Sequence, residues 1–213
     1  MHPSLKALQL RLQKSSPRWM RFLYRALRAG RQGQVSNLLP PDLIRECRFC
    51  ASRIDLIERL PRNGVVAELG TDRGAFARMI LERSDPRELH LVDLDVSHVD
   101  GSLSRDGRIR LHRGRSSNVM AVFPDGYFDW VYVDADHSYE GTIEDARAAA
   151  AKVRPGGFLV FNDFAHIDLN LGRYGVHRAV VDFAIERTWP FAFFAFSADA
   201  LYDVALQRPS IGN

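Results

Sequence analysis

Between residues 65 and 207, short apolar runs alternate with longer segments whose apolar positions recur every three or four residues. The short runs predict buried strands, and the longer segments predict amphipathic helices. We expect strands at Val65–Leu69, Glu88–Val92, Ile109–Arg113, Phe128–Asp134, Phe158–Asn162, Phe191–Ser197 and Leu201–Gln207. Helices are expected at Asp42–Leu60, Ala75–Arg83, Tyr139–Val153 and Val176–Arg187, whereas Val96–Gly107 follows no clear period.

The order of these elements predicts an α/β fold with a doubly wound, mostly parallel, seven-stranded sheet. Strands that alternate with helices form parallel sheets covered on both faces. The last two predicted strands are separated only by Ala198-Asp199-Ala200. Because so short a link holds no crossover helix, we expect the C-terminal strand to be antiparallel.

The composition is that of a globular protein. The chain has 213 residues, of which 46% are hydrophobic and 26% are charged. No apolar run approaches the roughly 18–20 residues of a membrane-spanning helix. Its two cysteines, Cys47 and Cys50, cannot form a disulfide scaffold, which favours a reducing, cytoplasmic location. We interpret them as small core residues rather than as metal or redox ligands, since no second cysteine pair is present.

Positive charge is concentrated at the N-terminus. Residues 1–33 contain eight Lys and Arg residues and no acidic residue, which leaves 21 basic residues against 26 acidic ones in the rest of the chain. We therefore divide the chain into a basic helical arm with a linker, residues 1–41, and a main domain, residues 42–213. Within the arm, Pro17–Ala29 has the spacing of an amphipathic helix, so we predict an N-terminal helical extension.

The basic arm has several candidate partners. An amphipathic helix of this kind is expected to dock on its own domain or on a second subunit, which would make the protein a homo-oligomer. Peripheral binding to an anionic membrane surface is the alternative. Nucleic acid is disfavoured, because the sequence has no zinc-finger or RNP-like motif.

A glycine-rich turn follows the first predicted strand. The sequence Glu68-Leu69-Gly70-Thr71-Asp72-Arg73-Gly74 leads from that strand into a helix. Gly70 lets ligand atoms approach the backbone closely, and the helix N-terminus then faces the crevice. The G-x-x-x-G spacing differs from the G-x-G-x-x-G pattern of dinucleotide sites. A carboxylate at Glu68 suits a cationic ligand such as S-adenosylmethionine better than a pyrophosphate, although a plain structural turn is the competing interpretation.

Two further candidates follow the next predicted strands. Asp93 stands about 20 residues after the glycine turn, where a carboxylate accepts hydrogen bonds from both ribose hydroxyls of a nucleoside. Asp95 competes for the same role. Ser116 follows the third strand, at the position where an adenine would lie.

Polar residues also end the fourth and fifth predicted strands. Asp134, Asp136 and His137 follow one strand, and Asn162 and Asp163 follow the other. Adjacent strands lie about 4.8 Å apart, so their carboxyl ends bring these side chains together. Two carboxylates and an amide oxygen form a hard oxygen site for Mg²⁺ or a similar cation. Acids that cap loops or bind an ammonium group are the alternative.

Together, these residues resemble class I S-adenosylmethionine-dependent methyltransferases, and more closely the small O-methyltransferases of the catechol, caffeoyl-CoA and macrocin types. The resemblance covers about residues 52–207. It rests on Glu68–Gly74, Asp93, Asp134-Ala135-Asp136-His137-Ser138-Tyr139-Glu140 and Arg154-Pro155-Gly156-Gly157 followed by Asn162-Asp163. It implies a Rossmann-like methyltransferase fold and transfer of a methyl group from S-adenosylmethionine to a hydroxyl of a small molecule.

The resemblance also implies roles for individual residues. The residues implied to bind the cofactor are Glu68, Gly70, Thr71, Asp72, Gly74, Asp93, Ser116 and Asp134. The residues implied to hold a divalent metal such as Mg²⁺ are Asp134, Asn162 and Asp163. His137 stands where caffeoyl-CoA-type enzymes often have a lysine base, whereas the macrocin type suggests Asp136 as the catalytic base. The pair Asn162-Asp163 departs from the Asp-Asn order of the caffeoyl-CoA type.

Two rival functions remain open from the sequence. A metal-independent methyltransferase would use the acidic cluster to hold the substrate or the amino-acid end of the cofactor. A cofactor-binding module would be recruited to a membrane or a partner by its basic arm. A nucleotide-dependent dehydrogenase is disfavoured, because the strand-end acids would repel a diphosphate.

Overall fold

The computed structural model describes residues 37–165, 167–168, 172–198 and 202–210. The predicted helix Pro17–Ala29 lies outside the described residues, as does most of the basic arm. No helix within the described residues is long and apolar enough to cross a membrane.

A single sheet of eight strands forms the centre of the domain. Its strands are β1 (Arg48–Cys50), β2 (Val65–Leu69), β3 (Glu88–Asp93), β4 (Ile109–Arg113), β5 (Phe128–Val133), β6 (Val153–Phe161), β9 (Phe191–Ala195) and β10 (Asp203–Gln207). The spatial order is β1-β9-β10-β6-β5-β2-β3-β4. Among the described strands of this sheet, only β10 is antiparallel to its neighbours, which confirms the predicted antiparallel C-terminal strand. Two short strands outside this sheet, β7 (Ile167–Asp168) and β8 (Gly172–Arg173), pair with each other.

Helices cover both faces of the sheet, as the alternating pattern predicts. They are α1 (Arg53–Glu58), α2 (Ala75–Ser84), α3 (Gly101–Ser104), α4 (Ser116–Ala121), α5 (Tyr139–Ala150) and α6 (Val176–Arg187). Buried residues of α1, α2 and α3 pack in one hydrophobic cluster, and those of α4, α5 and α6 pack in another. The two clusters lie on opposite faces of a doubly wound α/β sheet, so the predicted fold class is confirmed.

The predicted helix Asp42–Leu60 is wrong. In its place stand a 3-10 turn at Pro41–Leu43, the strand β1 and the short helix α1. Strand β1 pairs with β9, where Phe49 lies opposite Phe194, and this pairing adds an eighth strand to the seven expected. Along β1, Arg48 and Phe49 are exposed and Cys50 is buried, so its three residues carry no alternation by which the sequence would indicate a strand. Ser52 then starts α1 by accepting a hydrogen bond from the Asp55 amide.

The register of the parallel strands sets the position of the site. Leu69 at the end of β2 lies opposite Val92 of β3 and Val133 of β5, and Val133 lies opposite Phe161 of β6. The residues that follow these positions therefore leave the sheet at one level along its carboxyl edge. This edge is where ligands bind in open α/β sheets.

Candidate active site

The turn after β2 is shaped for a close approach to the backbone. Gly70 has φ 92°, and a Cβ there would lie 2.2 Å from the carbonyl oxygen of Asp134. Its amide donates to the carbonyl of Val92 at 2.8 Å, which ties the turn to β3. Gly74 closes the turn, its amide donating to the carbonyl of Thr71 at 2.8 Å. Gly70 is thus packed against the backbone that follows β5, and any side chain there would force the two loops apart.

Glu68 is a buried acid directly beneath this turn. Its side chain is 1% exposed, and Thr71 Oγ1 donates a hydrogen bond to its Oε2 at 2.7 Å. Burial raises the pKa of Glu68 to about 8; the hydrogen bond from Thr71 opposes this rise, and the charges of Asp134 and Asp93 add to it. Without a cationic ligand, Glu68 is therefore mostly protonated at neutral pH. A cation bound in the turn would favour its ionised form.

Asp93 lies beside the same turn. Its Oδ2 accepts from the amide of Asp72 at 2.9 Å, and its Oδ1 accepts from the amide of Asp95 at 3.1 Å. The structure thus places Asp93 rather than Asp95 against the glycine turn. Ser116 lies further along this edge as the buried first residue of α4. Ribose binding by Asp93 and adenine binding by Ser116 stay predictions.

The acids after β5 and β6 meet, as the strand order predicts. Asp134 Oδ1 accepts a hydrogen bond from Asn162 Nδ2 at 2.8 Å. His137 Nε2 lies 3.1 Å from that same Oδ1 and 3.6 Å from Asp163 Oδ2. The imidazole therefore sits between the two carboxylates, and the ring of Tyr174 stacks on it with a centroid distance of 4.6 Å.

Charge around His137 sets its protonation. Burial lowers the pKa of His137, but the hydrogen bond and charge of Asp134 outweigh it, with the charges of Asp163 and Asp136 adding to the rise. The pKa therefore lies above that of an ordinary histidine. Asp136, the other candidate base, accepts from the amide of Ser138 at 3.0 Å near the start of α5. Asp136 acts on His137 as a nearby negative charge that raises the pKa of the imidazole.

Arg53, at the start of α1, completes this cluster. Its Nη2 donates to Asn162 Oδ1 and, at 3.1 Å, to Oδ1 of the buried Asp203 on β10. Tyr132 Oη donates to the other oxygen of Asp203 at 2.6 Å. Burial raises the pKa of Asp203 to about 6, and Arg53 and Tyr132 oppose that rise. Because a guanidinium accepts no hydrogen bond, Asn162 must turn its oxygen to Arg53 and its amide nitrogen to Asp134.

These contacts do not fit a divalent cation. The oxygen of Asn162 is engaged by Arg53, and its amide hydrogens face the carboxylate of Asp134. The imidazole of His137 occupies the space between Asp134 and Asp163. Across the described residues, no group of three or more His, Cys, Asp and Glu side chains could hold a metal ion. The metal stays a sequence prediction, and no step below uses it.

Comparison with known proteins agrees with this arrangement. The model of a methyltransferase-domain family matches residues 67–164, from the glycine turn to the end of the acidic cluster. A Mycolicibacterium paratuberculosis protein provisionally named an O-methyltransferase is 28% identical over 117 residues. The aligned region covers 50% of this chain and 51% of that relative, so the match spans about half of each.

Solved structures share the fold. An O-methyltransferase family protein from Burkholderia thailandensis is 16% identical with a TM-score of 0.57, covering 75% of this chain and 56% of that one. The 1,6-didemethyltoxoflavin-N1-methyltransferase of the same organism, solved with its substrate and S-adenosylhomocysteine, is 16% identical with a TM-score of 0.54. Here the overlap is 70% of this chain and 72% of the other. Residues 67–164 of this chain thus match a methyltransferase domain, and the fold is shared with solved methyltransferases.

A cavity of about 650 Å³ opens beside the acidic cluster of this methyltransferase domain. Its wall includes Asn162 and Asp163 together with Arg53. The apolar part of the wall includes Ile54, Met79 and Phe196. The volume suits a small organic molecule. The cavity therefore shares Asn162 and Asp163 with the cluster around His137.

The sequence interpretation of this methyltransferase domain missed Arg53 and Asp203. Arg53 lies in the segment assigned to one long helix, although Ser52-Arg53-Ile54-Asp55 has the S-x-x-D spacing of a helix start. Asp203 opens a strand whose next three residues, Val204, Ala205 and Leu206, are apolar. An acid in a buried strand needs a cationic or hydrogen-bonding partner, and that signal predicts a partner without saying which residue supplies it.

Proposed function

We propose that this domain transfers a methyl group from S-adenosylmethionine to a hydroxyl of a small molecule, with His137 as the general base and without a metal. The observation that supports this most directly is the position of His137 between Asp134 and Asp163. Asp163 also lines the cavity, and the backbone of Asp134 lies against Gly70. The finer choices, O-methylation and metal independence, are part of the proposal.

The edge of the sheet suits S-adenosylmethionine as the methyl donor. The turn at Gly70 lies against the backbone of Asp134, so the side chains of Glu68 and Asp134 flank one turn. A bound sulfonium or ammonium group would favour the ionised form of Glu68, whose pKa is raised to about 8 without a ligand. Asp93, beside the turn, is the candidate partner of the ribose. A solved relative with this fold was crystallised with S-adenosylhomocysteine, which supports the same choice of cofactor here.

The contacts of His137 assign its two nitrogens different tasks. Ionised carboxylates accept hydrogen bonds and cannot donate them, so Nε2 carries the proton that faces Asp134 and Asp163. Nδ1 is then the basic nitrogen, and it takes the proton of the acceptor hydroxyl. The two carboxylates stabilise the imidazolium that results. General bases of this kind contribute typically about 10²–10⁴-fold to a rate.

The remaining side chains position the acceptor and the base. Tyr174 stacks on the imidazole and limits its rotation. Arg53 fixes Asn162, which in turn holds Asp134. S-adenosylmethionine, when bound, supplies a methyl carbon whose bond to sulfur breaks as the acceptor oxygen attacks it, leaving the electron pair on sulfur.

The test is a methyl-transfer assay with radiolabelled S-adenosylmethionine and a panel of phenols, sugars and amines, with and without EDTA. We expect hydroxyl acceptors to be methylated, EDTA to have no effect, and His137→Gln to lose at least about 100-fold in rate while still binding S-adenosylhomocysteine. His98→Gln, at an exposed position, is the matched control. Full inhibition by EDTA would favour the metal-assisted alternative, and methylation of amines alone would reject the O-methyl assignment.

A further inference from the structure

We propose that Arg53 is a binding site for a carboxylate group on the wall of the cavity that Asn162 and Asp163 also line. The inference rests on the proposed function, because it names a chemical group of the molecules that this site would take. The carboxylate belongs either to the methyl acceptor, as in a hydroxy acid, or to the amino-acid end of the cofactor.

The hydrogen bonds of Arg53 leave most of its donors unused. Both bonds, to Asn162 and to Asp203, leave from Nη2. Among the described residues, Nη1 and Nε have no hydrogen-bond partner, so three N–H groups remain. The side chain is 31% exposed, and it lines the cavity of about 650 Å³. Arg53 therefore presents donors to a space large enough for a small molecule.

The guanidinium is also held in place before any ligand arrives. Asp203 is 1% exposed and depends on Arg53 for its ion pair, so withdrawal of the cation would leave a buried carboxylate without its counter-charge. The ring of Phe76 supports the guanidinium, with Cζ 5.3 Å from the ring centroid. A side chain fixed in this way loses little conformational entropy when it binds a ligand.

The remaining wall of the cavity narrows the chemistry of the ligand. Of the described residues that line it, Arg53 and Asp163 are the charged ones. Ile54, Met79 and Phe196 supply apolar surface. A ligand with a carboxylate for Arg53 and a hydroxyl or ammonium group for Asp163 suits both charged residues of the wall. Guanidinium–carboxylate hydrogen bonds are among the stronger ones in proteins, because both partners are charged.

The experiment compares binding by wild type, Asp203→Asn and the double variant Arg53→Gln/Asp203→Asn, using calorimetry. The double variant removes the guanidinium together with the buried charge it neutralises, so the fold is not left with an unpaired ion. Asp203→Asn alone keeps the guanidinium and is the matched control. Thermal melts of all three proteins verify that they are folded. Two pairs of probes then separate the two sources of the carboxylate.

The first pair is S-adenosylhomocysteine and its decarboxylated analogue. The second pair is a set of hydroxybenzoates and their methyl esters, and these are titrated into protein that is already saturated with S-adenosylhomocysteine. We expect wild type and the control to prefer the carboxylate form of at least one pair by about tenfold, and the double variant to lose that preference. A loss in the first pair assigns the cofactor carboxylate, and a loss in the second assigns the acceptor. No preference that depends on Arg53 in either pair overturns the proposal. Failure of every protein to bind S-adenosylhomocysteine would instead refute the proposed function. In that case the hydroxybenzoates and their esters are titrated into unliganded protein, which tests the carboxylate site on its own.

Discussion

Replacing Glu68 by Gln should stabilise the protein, by an amount that grows as the pH rises. Glu68 is 1% exposed, and burial raises its pKa from 4.5 to about 8. At a pH between these two pKa values, such an acid is protonated more often in the folded chain than in the unfolded chain. Stability from this group is therefore present below pH 4.5 and is lost as the pH rises towards 8.

The size of the effect follows from the shift in pKa. Each unit is worth about 1.4 kcal/mol, so the full loss is about 5 kcal/mol above pH 9 and about 3 kcal/mol at pH 7. Gln has nearly the same shape and carries no charge at any pH. Its side-chain oxygen still accepts the hydrogen bond that Thr71 donates to Glu68. The variant therefore removes the ionisation and keeps the contact.

Urea unfolding of both proteins, without cofactor, between pH 5 and pH 9 measures the difference. The free energy of unfolding of wild type should fall relative to that of Glu68→Gln by up to about 1.4 kcal/mol per pH unit. Glu82→Gln, which removes an exposed carboxyl group on α2, is the control, and its curve should run parallel to that of wild type. Parallel curves for Glu68→Gln as well would show that burial does not hold Glu68 in its neutral form.

Three further outcomes are expected. Turnover should rise with pH, with a midpoint above the ordinary pKa of histidine, because His137 acts in its neutral form and its pKa is raised. Asp163→Asn should move this midpoint to lower pH, because it removes a negative charge beside the imidazole. An unmoved midpoint would contradict the assignment of the base. Gly70→Ala should weaken S-adenosylhomocysteine binding at least about tenfold in calorimetry, because the new Cβ would lie 2.2 Å from a backbone oxygen. Gly107→Ala is the control: no atom lies within 4 Å of its new Cβ, so it should bind as wild type does. Tyr132→Phe should lower the free energy of unfolding in urea by about 1–3 kcal/mol, since its buried carboxylate partner loses a hydrogen bond; a change within error would show that this bond contributes nothing.

The local pattern of apolar and polar residues sufficed to predict much of the fold. The bounds of Val65–Leu69, Ile109–Arg113 and Val176–Arg187 agree with those predicted, because each element carries its period within its own residues. Strand β1 has only three residues, and its strand character depends on pairing with β9, more than 140 residues away in the chain. A helix of six residues that begins directly after it leaves no period long enough to recognise. The N-terminal part of the domain was therefore mispredicted as one helix.

The acidic cluster shows the same limit in its chemistry. The sequence places Asp134, Asn162 and Asp163 together, since adjacent parallel strands end at one edge, and acids gathered at such an edge suggest a metal. The structure adds two basic side chains from within the chain: His137 contacts Asp134 and Asp163, and Arg53 contacts Asn162.

Burying like charges is unfavourable unless something positive compensates them. Here a guanidinium from α1 supplies positive charge, and an imidazole from the loop after β5 contacts both carboxylates and has a raised pKa. The position of Arg53 depends on β1 and on Asp203 of β10, two elements distant from the cluster in sequence. The charge balance of the site is thus a property of the tertiary structure, and a count of acids along the sequence cannot by itself distinguish a metal site from a cluster neutralised by the protein's own side chains.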